Sequence, residues 1–164
     1  MSGASSWSFR EDDAERLRGV LTGFLRDAGA RTALIVDRTG QLVATVGEAP
    51  AFDPTAFASL TAADFSANDQ LARLLGEPEF GALFHQGERE SMYLADVARR
   101  VILVVLFDNR TTLGLVKLRV KSAVGELNRL FTAMFERDGA GAAPAVESGF
   151  AGEAEDEIDR LFGA

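Results

Sequence analysis

Few residues of this chain are equipped for chemistry, and their spacing does not assemble them into a catalytic site. The 164 residues include no cysteine and a single histidine, His85. Thiolate zinc sites, disulfide frameworks and cysteine nucleophiles are therefore excluded, and nearly every histidine-based constellation with them. His85 sits in the strand-like run EFGALFHQ, where a half-exposed strand residue explains it better than a metal ligand does. Asp108-Asn109-Arg110 has the composition of a catalytic triplet, but consecutive residues at a strand end point in different directions. A turn that caps the next element accounts for it. Glu11-Asp12-Asp13 suits the positive end of a helix dipole. No G-x-x-x-x-G-K-[ST] loop occurs, so the chain does not hold a nucleotide by that route. The expectation is a protein that is not a stand-alone catalyst, with no metal and no cofactor.

Charge narrows the partners. The net charge is −8. From Asp138 to the end, seven acids face only Arg160, which leaves a balance of −6 there and about −2 for the rest. Neither part has the basic surplus that binds phosphate backbones, so no nucleic-acid partner is expected. No run reaches 18 apolar residues and no basic-flanked apolar leader opens the chain, so the expectation is a cytoplasmic protein without membrane insertion.

The elements that must position everything else are legible from periodicity. Ala14, Leu17, Leu21, Phe24 and Ala28 step by three and four, predicting a helix over about Ser8–Ala28, with Ser8 as N-cap and Gly29 as stop. TALIVD (32–37) and QLVATV (41–46) flank Asp37-Arg38-Thr39-Gly40, which predicts a tight hairpin with Gly40 at a positive φ. A second helix starts near Asp53, with Pro54 in its first turn and Gly76 as its stop. Two strand-like runs flank Gln86-Gly87-Glu88-Arg89. VILVVLF (101–107) has no polar face, so it is expected to be covered on both sides. From Thr111 to Arg137 a short alternation competes with a long three-and-four spacing. The longer pattern predicts a helix capped by Thr112. The order is α-β-β-α-β-β-β-α, an α/β sandwich with a five-stranded antiparallel sheet between helices.

That order resembles the Roadblock family. SLTAADFSANDQLARLLGE (59–77), LFDNRTTLGLVKLRV (106–120) and the terminal EDEIDRLF (155–162) are similar to its MglB-like bacterial branch. The resemblance implies a Roadblock domain over 1–137, a flexible linker over 138–152 and a short amphipathic motif over 153–164. It implies a homodimer that joins edge strands into one continuous sheet and sets its second helices side by side. It also implies a GTPase-activating protein for a Ras-like small GTPase (MglA-like), with two copies of this chain per GTPase. On this reading it works in cell polarity and gliding motility, with recruitment to a cell pole. Such activators insert no arginine but rearrange the GTPase's own residues. The alternatives are a Roadblock adaptor that leaves hydrolysis unchanged and a profilin- or sensor-like module with a small-molecule pocket.

Particular residues carry these expectations. In the second helix, Phe57, Leu60, Ala63, Ala67, Leu71 and Leu74 are read as the stripe that seats the helix on the sheet. The other side is small or apolar, and Ala62, Phe65, Ser66, Asp69, Gln70 and Arg73 are read as a GTPase-binding platform. EFGALFHQ lacks proline and lysine across its middle, so Phe80, Leu83 and Phe84 are assigned to a dimer edge strand. Ile158, Leu161 and Phe162 fall at i, i+3 and i+4. The resemblance makes them a second, tethered contact with the GTPase, through which nucleotide exchange can also be influenced.

Overall fold

The computed structural model describes residues 10–141. The chain divides into a body, Phe9–Ala133, and a second unit comprising Met134 onward with the first eight residues; of this unit, Met134–Gly141 is described and completes the last helix. Ser8, the greater part of the expected linker and the motif with Ile158, Leu161 and Phe162 lie outside the described residues.

The elements come in the expected order: α1 (Glu11–Ala28), β1 (Thr32–Asp37), β2 (Leu42–Gly47), α2 (Pro54–Leu74), β3 (Ala82–Gln86), β4 (Ser91–Val97), β5 (Val101–Phe107) and α3 (Leu113–Gly141). The strands form one antiparallel sheet in the order β2-β1-β5-β4-β3. The hairpin-connected runs therefore fold in pairs around the central β5.

Local chemistry explains the boundaries. Arg10 occupies the α1 cap position, and its N–H donates to the Asp13 carboxylate at 3.3 Å. Gly29 ends α1 in the left-handed region, φ 66°. In the β1–β2 turn the Asp37 carboxylate accepts from the Thr39 N–H (2.7 Å) and hydroxyl (2.8 Å), and Gly40 takes φ 95°. Asp53 caps α2 by accepting from the Thr55 N–H at 3.0 Å, with Pro54 at the first helical position. Thr112 caps α3 through the Leu115 N–H at 3.2 Å. The helix then runs to Gly141, past the expected end of the domain at 137.

β5 is buried on both faces, as its unbroken apolar run requires. Ile102 and Val104 join Leu34, Val36 and Leu94 beneath α2. The intervening positions face the opposite layer, where Leu17, Leu21 and Phe24 of α1 and Val116, Val120, Leu127 and Phe131 of α3 are buried. Each of these large side chains contributes roughly 1.5–3 kcal/mol relative to exposure. Two hydrogen bonds tie the α3 side together. The Thr111 hydroxyl donates to the Ala28 carbonyl at 2.6 Å, and the Asn128 side chain accepts from the Ala98 N–H at 2.7 Å. Among the described residues no helix is long and apolar enough to cross a membrane.

One end of the sheet is closed by charges. Arg31 pairs with Glu48 at 2.8 Å and with Glu90, while Arg110 holds Asp108 at 3.0 Å and Glu48 at 3.3 Å. Asp108 thus serves a turn, accepting also from the Arg110 N–H at 3.0 Å. Hydrogen bonds from Arg31 and Arg110 lower the pKa of Glu48, and those from Arg110 lower that of Asp108. A carboxylate with a depressed folded pKa stabilises the fold above its unfolded pKa, about 4, and loses that contribution as pH falls through the folded value. Thermal midpoints are therefore expected to stay flat on the neutral side of about pH 5 and to fall below about pH 4. Glu48→Gln should show a smaller acid-side fall when the same titration is followed by circular dichroism. The difference should be modest, because solvent screens these exposed pairs.

Candidate protein-interaction surface

The two faces of α2 depart from the sequence expectation at several residues. Ala58, Thr61, Ala62, Phe65, Asn68 and Ala72 are buried, and Ala58, Ala62 and Phe65 belong to the core over the sheet. Phe65 is 1% exposed. Small residues at 58, 62 and 72 let the helix settle onto a sheet face already filled by Leu34, Val36, Leu94, Ile102 and Val104. Ala62 and Phe65 are therefore corrected from platform to core. The stripe assigned to the sheet points to solvent instead: Leu60 is 71% exposed, Leu71 56% and Leu74 82%, with Ala63 and Ala67 exposed between them. Only Phe57 of that set packs partly against the core.

Side-chain contacts orient this outward stripe. Asp64, on its flank, meets His85 of β3 with Oδ2 2.6 Å from Nε2. On the other flank Asp69 accepts from Arg38 of the β1–β2 turn at 2.6 Å. Arg38 also pairs with Asp96 and lies over the Phe65 ring, 4.9 Å from its centroid. Burial works against the Arg38 charge, but the bonds to Asp96 and Asp69 outweigh it and raise the pKa above its ordinary value. Asp69 is thus committed within the chain and is not a free platform residue. Ser66, Gln70 and Arg73 remain exposed. The leucine stripe runs toward the β3 side of the helix, and Ser66, Gln70 and Arg73 form the flank nearer the β1–β2 turn.

Among the described residues β3 is an edge strand that pairs only with β4 in the sheet. Its two large apolar side chains, Leu83 and Phe84, are half-buried. Leu83 packs against the core under α2, and Phe84 stacks on Phe107 with ring centroids 6.1 Å apart. Phe80 is partly buried just ahead of the strand. The outer edge of β3 therefore offers backbone N–H and C=O groups, beside a stripe of exposed leucines.

A family model for the Roadblock/LC7 domain matches residues 18–107, a span from within α1 to the end of β5. The chain belongs to the Roadblock/LC7 family. Among solved structures, this Roadblock protein is similar to Myxococcus xanthus MglB, with 44% identity over 72% of this chain and 96% of that chain, TM-score 0.69. It is also similar to the gliding protein MglB of Thermus thermophilus, with 38% identity over 76% and 95% of the two chains, TM-score 0.70. An MglB in a tetrameric arrangement gives 38% identity over 76% and 94%, TM-score 0.71. No curated protein sequence matches significantly.

The arginines of the Roadblock domain differ in their freedom. Arg110 is bound to Asp108 and Glu48, and those bonds raise its pKa. Arg73 is exposed and forms no ion pair among the described residues. The open leucines of α2 are visible in the sequence only as apolar spacing. Nothing in spacing alone says whether such a stripe meets a sheet or another chain.

Proposed function

We propose that this Roadblock protein is a regulator of a Ras-like small GTPase of the MglA kind, acting as a homodimer that accelerates GTP hydrolysis. The observation that supports it is the outward leucine stripe beside the free β3 edge, in a chain 44% identical to Myxococcus xanthus MglB. Two copies joined through β3 and α2 bury both features. The flanks with Ser66, Gln70 and Arg73 then stand on either side of the paired helices as the surface for one GTPase. Likeness to the Thermus gliding protein supports a part in motility, and polarity control, a cytoplasmic location and recruitment to a cell pole belong to the same proposal. Ile158, Leu161 and Phe162 act as the tethered second contact, with an influence on nucleotide exchange.

Hydrolysis requires a water held in line and stabilised phosphate charge. An inserted arginine contributes a factor of about 10³–10⁵ where one is used. Arg110 is engaged by two carboxylates, so Arg73 is the arginine to test on the proposed surface. We expect it to bind rather than catalyse, with activation arising from repositioning of the GTPase's own groups. Arg73→Ala should raise the concentration needed for half-maximal activation by about 3- to 10-fold, the effect of losing one rim contact. Maximal turnover at saturating protein should stay within about threefold. A loss of maximal turnover by a factor of about 10³ would assign Arg73 to the active site.

A further inference from the structure

α3 presents an outward surface that the proposed complex does not use. The helix lies on the side of the sheet away from α2, seated by Val116, Val120, Ala123 and Leu127. Helical spacing sets Leu118 directly opposite that seam, where it is 61% exposed, and Leu115 next to it is 37% exposed. Lys117 and Lys121 stand on one flank of these leucines, Arg119 stands on the other, and Arg129 continues the outward side three turns on. All four are exposed, and none forms an ion pair among the described residues. Gly114 and Gly125, one and two turns from Leu118, carry no side chain that would shield it. From Leu113 to Gly125 there are three cations and no acid, in a chain of net charge −8. Acids border the surface without crossing it. Asp27 and Glu126 share the α1–α3 groove with Arg119, and Asp96, across from Lys117 and Lys121, is held by Arg38. The two lysines and Arg129 therefore carry the uncompensated charge. α1, in the same layer, has four exposed acids and three exposed arginines, near balance, so α3 governs what approaches this side.

Exposed leucines among lysines fit a lipid surface better than a protein. The core of a protein interface is depleted of lysine. At a bilayer, leucines enter the boundary between headgroups and acyl chains. Lysine stems lie alongside them and hold their ammonium groups at the lipid phosphates. Charge selects anionic lipid, and each basic residue at such a surface strengthens binding about fivefold. We propose that the outward surface of α3 between Gly114 and Arg129 docks on an anionic lipid bilayer, with the helix lying along the headgroups and not crossing them. The acidic remainder of the chain is repelled, which turns α3 toward the lipid and keeps the attachment weak and salt-sensitive. α2 then faces away from the bilayer. None of this depends on the GTPase reading, because only this chain's own surface is used.

Co-sedimentation of the full chain with lipid vesicles tests this. Phosphatidylcholine vesicles containing about one-third phosphatidylglycerol should bind the chain at about 50 mM salt. Partitioning should fall at least about tenfold at about 300 mM salt, and likewise on phosphatidylcholine alone. Lys117→Glu with Lys121→Glu should weaken it at least about tenfold. Leu115→Ser with Leu118→Ser leaves the charge unchanged and should weaken it at least about fivefold. Ser66→Glu, Gln70→Glu and Arg73→Glu together make the same total charge change on α2, and should cost less than about threefold. Circular dichroism should stay native in these variants, since none of the substituted side chains is in the core. Trp7→Phe with Leu118→Trp puts the chain's only tryptophan on the proposed surface. Its emission should move to shorter wavelength on anionic vesicles. No binding to those vesicles, no emission shift, or an equal loss from the α2 substitutions would overturn the proposal. So would leucine variants that bind like the native chain, which would leave the surface as a basic patch for an acidic protein.

Discussion

Leu60→Arg combined with Leu71→Arg is expected to yield a folded monomer. In the isolated chain both side chains are more than half exposed and support none of the core beneath α2, so circular dichroism and thermal midpoint should change little. In the proposed dimer the same leucines meet their symmetry mates. Completing the burial of each contributes roughly 1–2 kcal/mol, and there are four such side chains per dimer. Arginines add like charges across the two-fold axis. The dimer dissociation constant should therefore rise by about 10³-fold or more, since each 1.4 kcal/mol is a factor of ten. Sedimentation velocity across a dilution series reads this directly. A double variant that stays dimeric at low micromolar concentration would remove α2 from the dimer interface.

Phe65→Ala tests the corrected face of the same helix. Phe65 fills the space between α2 and the sheet residues Leu34, Val36, Leu94, Ile102 and Val104. Truncating a buried phenylalanine costs about 3–5 kcal/mol, because the transfer term is joined by the cavity left behind. The Arg38 guanidinium, 4.9 Å from the ring centroid, loses its aromatic contact as well, a further contribution of about 0.5–1 kcal/mol. For a chain of this length a loss of that size lowers the melting temperature by on the order of 10 °C. The neighbouring Ser66→Ala should stay within about 0.5 kcal/mol of the native chain. Urea denaturation of both variants separates the alternatives. A Phe65→Ala midpoint equal to the native one would return Phe65 to a partner-facing surface.

α2 also marks where reading from sequence stops. The elements themselves are legible, because their signals are local: Pro54 and Asp53 at a helix start, Gly29, Gly40 and Gly76 at positive φ, and an apolar strand from Val101 to Phe107. In α3 the long spacing that continues through Phe131 outweighs the short alternation, as the observed helix shows. The orientation of α2 is not legible, because both sides carry apolar residues at three-and-four spacing. The larger ones, Leu60, Leu71 and Leu74, make the outward side look like the core side. Hydropathy records a preference to leave water and does not say for which neighbour. The sheet beneath is already filled by its own side chains, so a helix face of alanines with one phenylalanine fits it better than a row of leucines. Asp69 escapes a sequence reading for a related reason. Its partner, Arg38, is 31 residues away in sequence and becomes a neighbour only when the β1–β2 turn meets α2.

If a dimer of this chain speeds hydrolysis on a partner GTPase, the effect must appear in the chemistry of a single nucleotide. The decisive measurement is single-turnover hydrolysis by the GTP-loaded cognate GTPase, with native protein and with the Leu60→Arg/Leu71→Arg variant. Native protein should raise the rate at least tenfold, with saturation at two chains per GTPase. The monomeric variant should leave the intrinsic rate unchanged at the same concentration. Complex formation by the native dimer with no change in rate would contradict activation and leave the chain as an adaptor.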